Sequence, residues 1–154
     1  MSNTIDKQLK KLGIILPNAP NPAANYLPFV RTGNLIYVSG QISRNKDLLI
    51  TGKLGLNMDI ETAYKAARFC GLDLISQLSI ACEGNLDRLK KIIRLGGFVN
   101  STPEFSDHAK VINGASDLMV EIFGDKGKHA RAAVGCSSLP LCVAVEVDGI
   151  FEIE

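Results

Sequence analysis

Near the end of a 154-residue chain, one arginine and one glutamate interrupt runs that are otherwise small and apolar. Arg131 lies within His129-Ala130-Arg131-Ala132-Ala133-Val134-Gly135, and Glu146 within Val143-Ala144-Val145-Glu146-Val147. Both runs read as strands. Alternation along a strand puts Val143, Val145 and Val147 on one face and Ala144, Glu146 and Asp148 on the other, while Arg131, Ala133 and Gly135 share a face of their own strand. An antiparallel hairpin turned at Ser137 to Leu141 is expected to set Arg131 opposite Glu146 in one of its two register parities. A guanidinium and a carboxylate flanked by small side chains leave room for a ligand between them. The same two charges also suit a cross-strand ion pair on a solvated face, and both readings stay open here.

A second candidate is Ser39-Gly40-Gln41, directly after the apolar run Leu35-Ile36-Tyr37-Val38. Glycine permits close backbone approach, and exposed amides beside a hydroxyl can hold a carboxylate or oxyanion; a plain strand end with a bulge is the alternative. Cys70, Cys82, Cys136 and Cys142 fall at irregular intervals, and the only histidines are His108 and His129. That pattern lacks the paired spacing of a zinc site, so no metal is expected and the cysteines read as free thiols in a reducing compartment. His129 stands two residues from Arg131, where it either assists chemistry or packs at a rim.

These residues need elements to carry them. A chain of this length forms one domain that buries roughly two-thirds of its unfolded surface. Seventeen Lys and Arg against sixteen Asp and Glu give a formal charge of +1. With no basic run or aromatic-rich strand, nucleic acid is not expected as a partner. The start Met1-Ser2-Asn3-Thr4-Ile5-Asp6 lacks the basic head and apolar core of a signal peptide, and no apolar run is long enough to span a bilayer, so a cytoplasmic protein is expected. Apolar Ile5, Leu9 and Leu12 suggest a helical arm over residues 1–16, followed by the proline-rich Pro17-Asn18-Ala19-Pro20-Asn21-Pro22 and one domain over 17–154. Tyr26 to Arg31 and Leu35 to Ser39 read as a hairpin about Thr32-Gly33-Asn34. Asp59 can cap a long helix with the stripe Ile60, Ala63, Tyr64, Ala67, Leu74, Ile75 and Leu78, weakened at Gly71. A strand over about Leu89 to Val99 and a helix over about Asp107 to Phe123, ended by Gly124, complete a β-β-α-β-α-β-β order.

Two helices can cover only one face of such a sheet, yet Leu35-Ile36-Tyr37-Val38 is apolar on both. The uncovered face calls for another copy of the chain in a symmetric ring, or for closure of the sheet into a barrel.

Taken in order, Gly33-Asn34, Leu35 to Gln41, two helices around a strand, Ala130-Arg131, Leu139-Pro140 and Val145-Glu146-Val147 resemble the Rid family of reactive intermediate deaminases, also called YjgF-like or L-PSP-like. The resemblance covers about residues 17 to 153. It implies an α+β, chorismate-mutase-like fold, a sheet with two long helices on one face, assembled as a homotrimer with clefts between subunits. It also implies hydrolysis of 2-imino or enamine acids to 2-keto acids and ammonia, without metal or organic cofactor. Under that resemblance Arg131 grips the substrate carboxylate with its planar fork, and Glu146 orients the attacking water. Tyr26 closes the cleft from the adjoining subunit, Ser39 and Gly40 line it, Asn113 lies near the pocket, and the carbonyl of Ala133 helps hold the water. The arm, a longer segment between Ile42 and Asp59, and Cys136-Ser137-Ser138 depart from compact members. A non-catalytic carboxylate-binding or interaction trimer, and an endoribonuclease, are the other functions that these features leave open.

Overall fold

A computed structural model describes residues 3–154, so the first two residues of the expected arm lie outside it. The chain runs α1 (Thr4–Lys11), β1 (Phe29–Thr32), β2 (Leu35–Ile42), β3 (Arg44–Asn45), β4 (Leu48–Leu49), α2 (Ile60–Ala81), β5 (Leu89–Asn100), α3 (His108–Phe123), β6 (Ala130–Cys136) and β7 (Val145–Ile153). Five strands form one mixed sheet in the order β1-β2-β7-β5-β6, and β3-β4 is a separate small hairpin. The α+β class and the chorismate-mutase-like arrangement expected from the sequence are present.

Alternation in β7 decides which way the sheet faces. Val145, Val147, Phe151 and Ile153 are fully buried under the helices, whereas Glu146, Asp148 and Ile150 point to the other face and are only half-buried. Ile36 and Val38 join the buried side from β2, and Leu95 and Val99 from β5. The opposite face stays open in the single chain: Val30 and its cross-strand partner Tyr37 are 52% and 45% exposed, and Val134 at the far edge is 47% exposed. Helices α2 and α3 are pressed close by glycines. A side chain at Gly114 would run into the Tyr64 carbonyl, and one at Gly71 would meet Leu118, so Gly71 serves the helix crossing rather than interrupting the helix. Asp59 caps α2 by accepting from the Thr62 amide at 2.7 Å.

Three features differ from the expectation. The hairpin of the last two strands does not form: β6 pairs in parallel with β5, and β7 inserts between β2 and β5, antiparallel to both. The reason is the β5-α3-β6 unit, whose sixteen-residue helix returns the chain to the start of β5 and so delivers a parallel neighbour. The first strand begins at Phe29, not Tyr26, because Ala23 to Tyr26 curls on itself, with the Tyr26 amide donating to Ala24 O at 3.0 Å. The segment between Ile42 and Asp59 carries the β3-β4 hairpin and lies along the sheet end, where the Ser43 amide donates to Val145 O and the Ala144 amide to Ile50 O, each at 2.9 Å.

Helix α1 is docked. Asp87 accepts from the Thr4 and Ile5 amides at 2.7 and 2.9 Å, which satisfies the helix N-terminus from a distant turn, and Ile5 and Leu9 enter the core. The proline-rich segment that follows is strapped to α2, with Ser76 Oγ donating to Pro17 O and Gln77 Nε2 to Pro20 O, both at 2.8 Å.

Candidate functional site

The seven residues singled out in the sequence fall into two groups. Tyr26, Ser39, Gly40 and Glu146 line one cavity of about 800 Å3, between the proline-rich segment, the end of β2 and the turn at Pro140 and Leu141. Gly40 and Glu146 are fitted to each other. A Cβ at position 40 would overlap the Glu146 carboxylate, so only a residue without a side chain lets that carboxylate lie across the strand. The register slips between Val38 and Gln41 at this point, which is the bulge the sequence allowed for. Burial pushes the Glu146 carboxyl above the ordinary glutamate range, and the neighbouring Asp148 adds to the rise, with no hydrogen bond or cation acting against it.

Ser39 has a different task from the one its motif suggested. Its hydroxyl donates to Leu27 O at 2.7 Å and its amide to Pro28 O at 2.9 Å, so it ties the Tyr26 segment to β2 and has neither donor to offer an oxyanion. Tyr26 itself stays 47% exposed at the cavity mouth.

Arg131, Asn113 and Ala133 form the other group. Arg131 Nη1 donates to Asn113 Oδ1 at 2.8 Å and to Ser116 Oγ at 3.1 Å, and Nη2 to Ala109 O at 3.4 Å. All three acceptors are neutral and belong to α3. Since a guanidinium has five N–H donors, Nε–H and one Nη2–H are left over, the pair needed for a two-point grip on a carboxylate. Ala133 lies two residues along the same face of β6, in register with Gly97 of β5 and partly buried against the core.

The expected pairing of Arg131 with Glu146 is therefore overturned. Arg131 pairs in register with Leu95 on the helix side of β6, whereas Glu146 pairs with Phe98 on the open side of β7, and β5 runs between them. Two strand spacings separate β6 from β7, about 10 Å of backbone alone. The ion-pair reading fails on the same geometry. Within one chain the cavity group sits toward the β1-β2 edge of the sheet and the arginine group at the β6 edge.

Sequence reasoning missed several neighbours. Inside the cavity, Arg44 Nε donates to Asp73 Oδ2 at 2.9 Å, and Asp73, only 4% exposed at its side chain, keeps a raised pKa because desolvation outweighs the arginine beside it. Gln41 Oε1 is buried without a partner, while its Nε2 donates to Ser39 O at 2.9 Å. Ser116 next to Arg131 gave only one signal, its i+3 spacing from Asn113. The cysteines are all free, and burial drives the Cys70 thiol well above its ordinary value. Among the described residues no helix is long and apolar enough to cross a membrane.

Residues 6–151 match the family described as "YjgF/chorismate_mutase-like, putative endoribonuclease". Protein TCP17 of Trypanosoma cruzi is 44% identical over 99% of this chain and 96% of its own. A 2-iminobutanoate/2-iminopropanoate deaminase of Dermatophagoides farinae is 27% identical over 92% of this chain and 95% of its own. A crystal structure of a protein of unknown function from Agrobacterium tumefaciens superposes with a TM-score of 0.90 at 44% identity, covering 97% of this chain and 92% of that one. With nearly the whole length matched, and with the sheet order and helices in place, the chain belongs to the YjgF/chorismate-mutase-like family.

Proposed function

We propose that this protein hydrolyses reactive 2-imino and enamine acids to 2-keto acids and ammonia, in a cleft completed only when two subunits meet. The observation that carries the reading is Arg131, a half-buried guanidinium held by three neutral acceptors and left with two donors and, among the described residues, no counter-charge. A carboxylate is the natural occupant. The other half of the chemistry sits beside Gly40, where Glu146 has its proton affinity raised by burial and lies on the open face of the sheet. A ring of three subunits that covers this face would bring the Arg131 edge of one chain to the Glu146 cavity of its neighbour, with Tyr26 at the mouth. The exposed Val30, Tyr37 and Val134 are the apolar surface that such a ring buries.

The chemistry asked of these groups is small. Arg131 fixes the substrate carboxylate, which places the C=N carbon before a water held by Glu146 and the Ala133 carbonyl. The water oxygen bonds to that carbon, its proton passes to Glu146 and the C=N π pair moves to nitrogen. Glu146 then returns that proton to nitrogen, giving the carbinolamine. The remaining hydroxyl proton passes through Glu146 to the same nitrogen, the O–H electron pair forms the keto C=O, and the C–N bond breaks with its pair leaving on ammonia. The chain's own groups suffice for these proton transfers. A reducing compartment such as the cytosol suits its free cysteines.

The test is release of keto acid and ammonia from freshly generated 2-iminopropanoate. The protein should accelerate release well above the spontaneous rate, and Arg131→Lys should lose most of the gain. Equal rates with and without intact wild-type oligomer would overturn the proposal.

A further inference from the structure

We infer that Ser116 and His129 are positioning residues for Arg131, forming a relay that fixes the guanidinium in the orientation a substrate carboxylate meets. The inference rests on the reading of Arg131 as the carboxylate anchor and adds two residues to it.

The hydrogen-bond donors and acceptors can be assigned one by one. Ser116 Oγ lies 3.1 Å from Arg131 Nη1 and 2.8 Å from His129 Nε2. A guanidinium only donates, so Oγ accepts from Arg131 and has its single proton for the imidazole. His129 Nδ1 lies 2.6 Å from Gly127 O, a group that only accepts, so Nδ1 carries the imidazole proton and Nε2 presents the lone pair that Ser116 needs. Of the two neutral tautomers, only Nδ1–H satisfies all three links at once, and it gives a directed chain in which Arg131 donates to Ser116, Ser116 to His129 and His129 to the Gly127 carbonyl. An imidazolium keeps the same contacts with the middle link reversed, Nε2–H donating to Ser116 Oγ.

Both ends of the relay are rigid. Gly127 is buried where a side chain would collide with the Met119 carbonyl, so the turn Gly124–Gly127 lies directly on the α3 backbone and its carbonyl has a fixed place. Ser116 is one helical turn from Asn113, and the two side chains accept both protons of the same Nη1. With Nη1 saturated, a ligand carboxylate must meet Nε and Nη2. The relay thus selects the working edge of the arginine. Without it, the guanidinium is held only by Asn113 and by the long 3.4 Å contact to Ala109 O, and one Nη1 proton is freed to compete for the ligand.

Four variants test this in the intact wild-type oligomer background: Ser116→Ala, Ser116→Thr, His129→Phe and the Ser116→Ala/His129→Phe double. Each is assayed for 2-iminopropanoate KM and kcat, for pyruvate affinity by calorimetry and for the nitrogen-15 NMR signal of Arg131 Nε–H. Loss of one hydrogen bond to the anchor should raise KM and the pyruvate Kd on the order of fivefold to tenfold in Ser116→Ala, with little change in kcat. Ser116→Thr keeps the hydroxyl and should stay near wild type, His129→Phe should lose part of the affinity, and the double variant should be no worse than Ser116→Ala alone. The Arg131 Nε–H signal should shift and broaden in Ser116→Ala and His129→Phe. Wild-type KM, affinity and Arg131 signal in both Ser116→Ala and His129→Phe would refute the relay. Should wild type neither turn over the imine nor bind pyruvate while the Arg131 signal still responds to Ser116→Ala, the relay stands and the deaminase reading falls.

Discussion

Because Arg131 and Glu146 lie on opposite faces of one sheet with β5 between them, a site that uses both must take them from different chains. Mixing two inactive variants turns this into a number. Arg131→Lys keeps a charge but loses one of two charge-assisted bonds to the carboxylate, about 1.5–3 kcal/mol, which is roughly a tenfold to 150-fold loss of affinity. Glu146→Gln keeps the shape and loses the proton acceptor. If the two chains are unfolded together in equal amounts and refolded, each cleft draws its arginine from one chain and its glutamate from the neighbour. An intact pair then arises with a probability of one half times one half, so about a quarter of the wild-type sites should return in a closed ring. Imine hydrolysis is followed by ammonia release, and native mass spectrometry verifies that mixed oligomers have formed. Activity in the verified mixture no higher than the mean of its parents would show that the two residues do not meet across a subunit boundary, and the reasoning from the sheet order would fail.

Glu146→Gln alone should also change stability in a direction opposite to that of a broken ion pair. Its folded pKa is raised by burial and by Asp148, so the stability it contributes is present in acid, below its unfolded pKa, and is lost as pH rises through the folded value. The glutamine variant should therefore melt higher than wild type at neutral pH and lose that advantage in acid; a lower neutral Tm would contradict the burial argument. Gly40→Ala should displace the Glu146 carboxylate, cost about 1–3 kcal/mol of stability and abolish turnover while pyruvate binding through Arg131 persists, and normal turnover would remove Glu146 from the mechanism. Arg44→Ala leaves the Asp73 charge buried without its partner and should destabilise the fold by about 3–5 kcal/mol in denaturant titrations, whereas Arg44→Ala/Asp73→Asn should recover much of this; equal losses in the two would count against a desolvated pair.

Much of this architecture could be read along the chain. The stripe from Ile60 to Leu78, the Asp59 cap and the run from Val111 to Ile122 ended by Gly124 are local patterns, since helix periodicity and capping depend on near neighbours. The alternation that set Val145 and Val147 against Glu146 was also legible, because the period of a strand is a property of its own backbone. So was the uncovered sheet face, which follows from counting helices against apolar strand faces.

Strand partners were not legible. Two adjacent strands joined by a short turn read as a hairpin, yet the chain from Cys136 to Val145 leaves the β6 edge and re-enters the sheet on the far side of β5. Nothing within those residues records that, because parallel pairing is imposed by the α3 crossover and by competition among strands far apart in sequence. Ser39 misled for a related reason: its hydroxyl and amide are taken by Leu27 and Pro28, carbonyls brought near only by the folded hairpin. The sequence by itself marked Arg131 and Glu146 as the charges set among small apolar neighbours, since residue type and local period are written in it. Only the tertiary structure decided that the arginine and the glutamate stand back to back across one sheet, because a side chain's face is local but its neighbours are set by the whole fold.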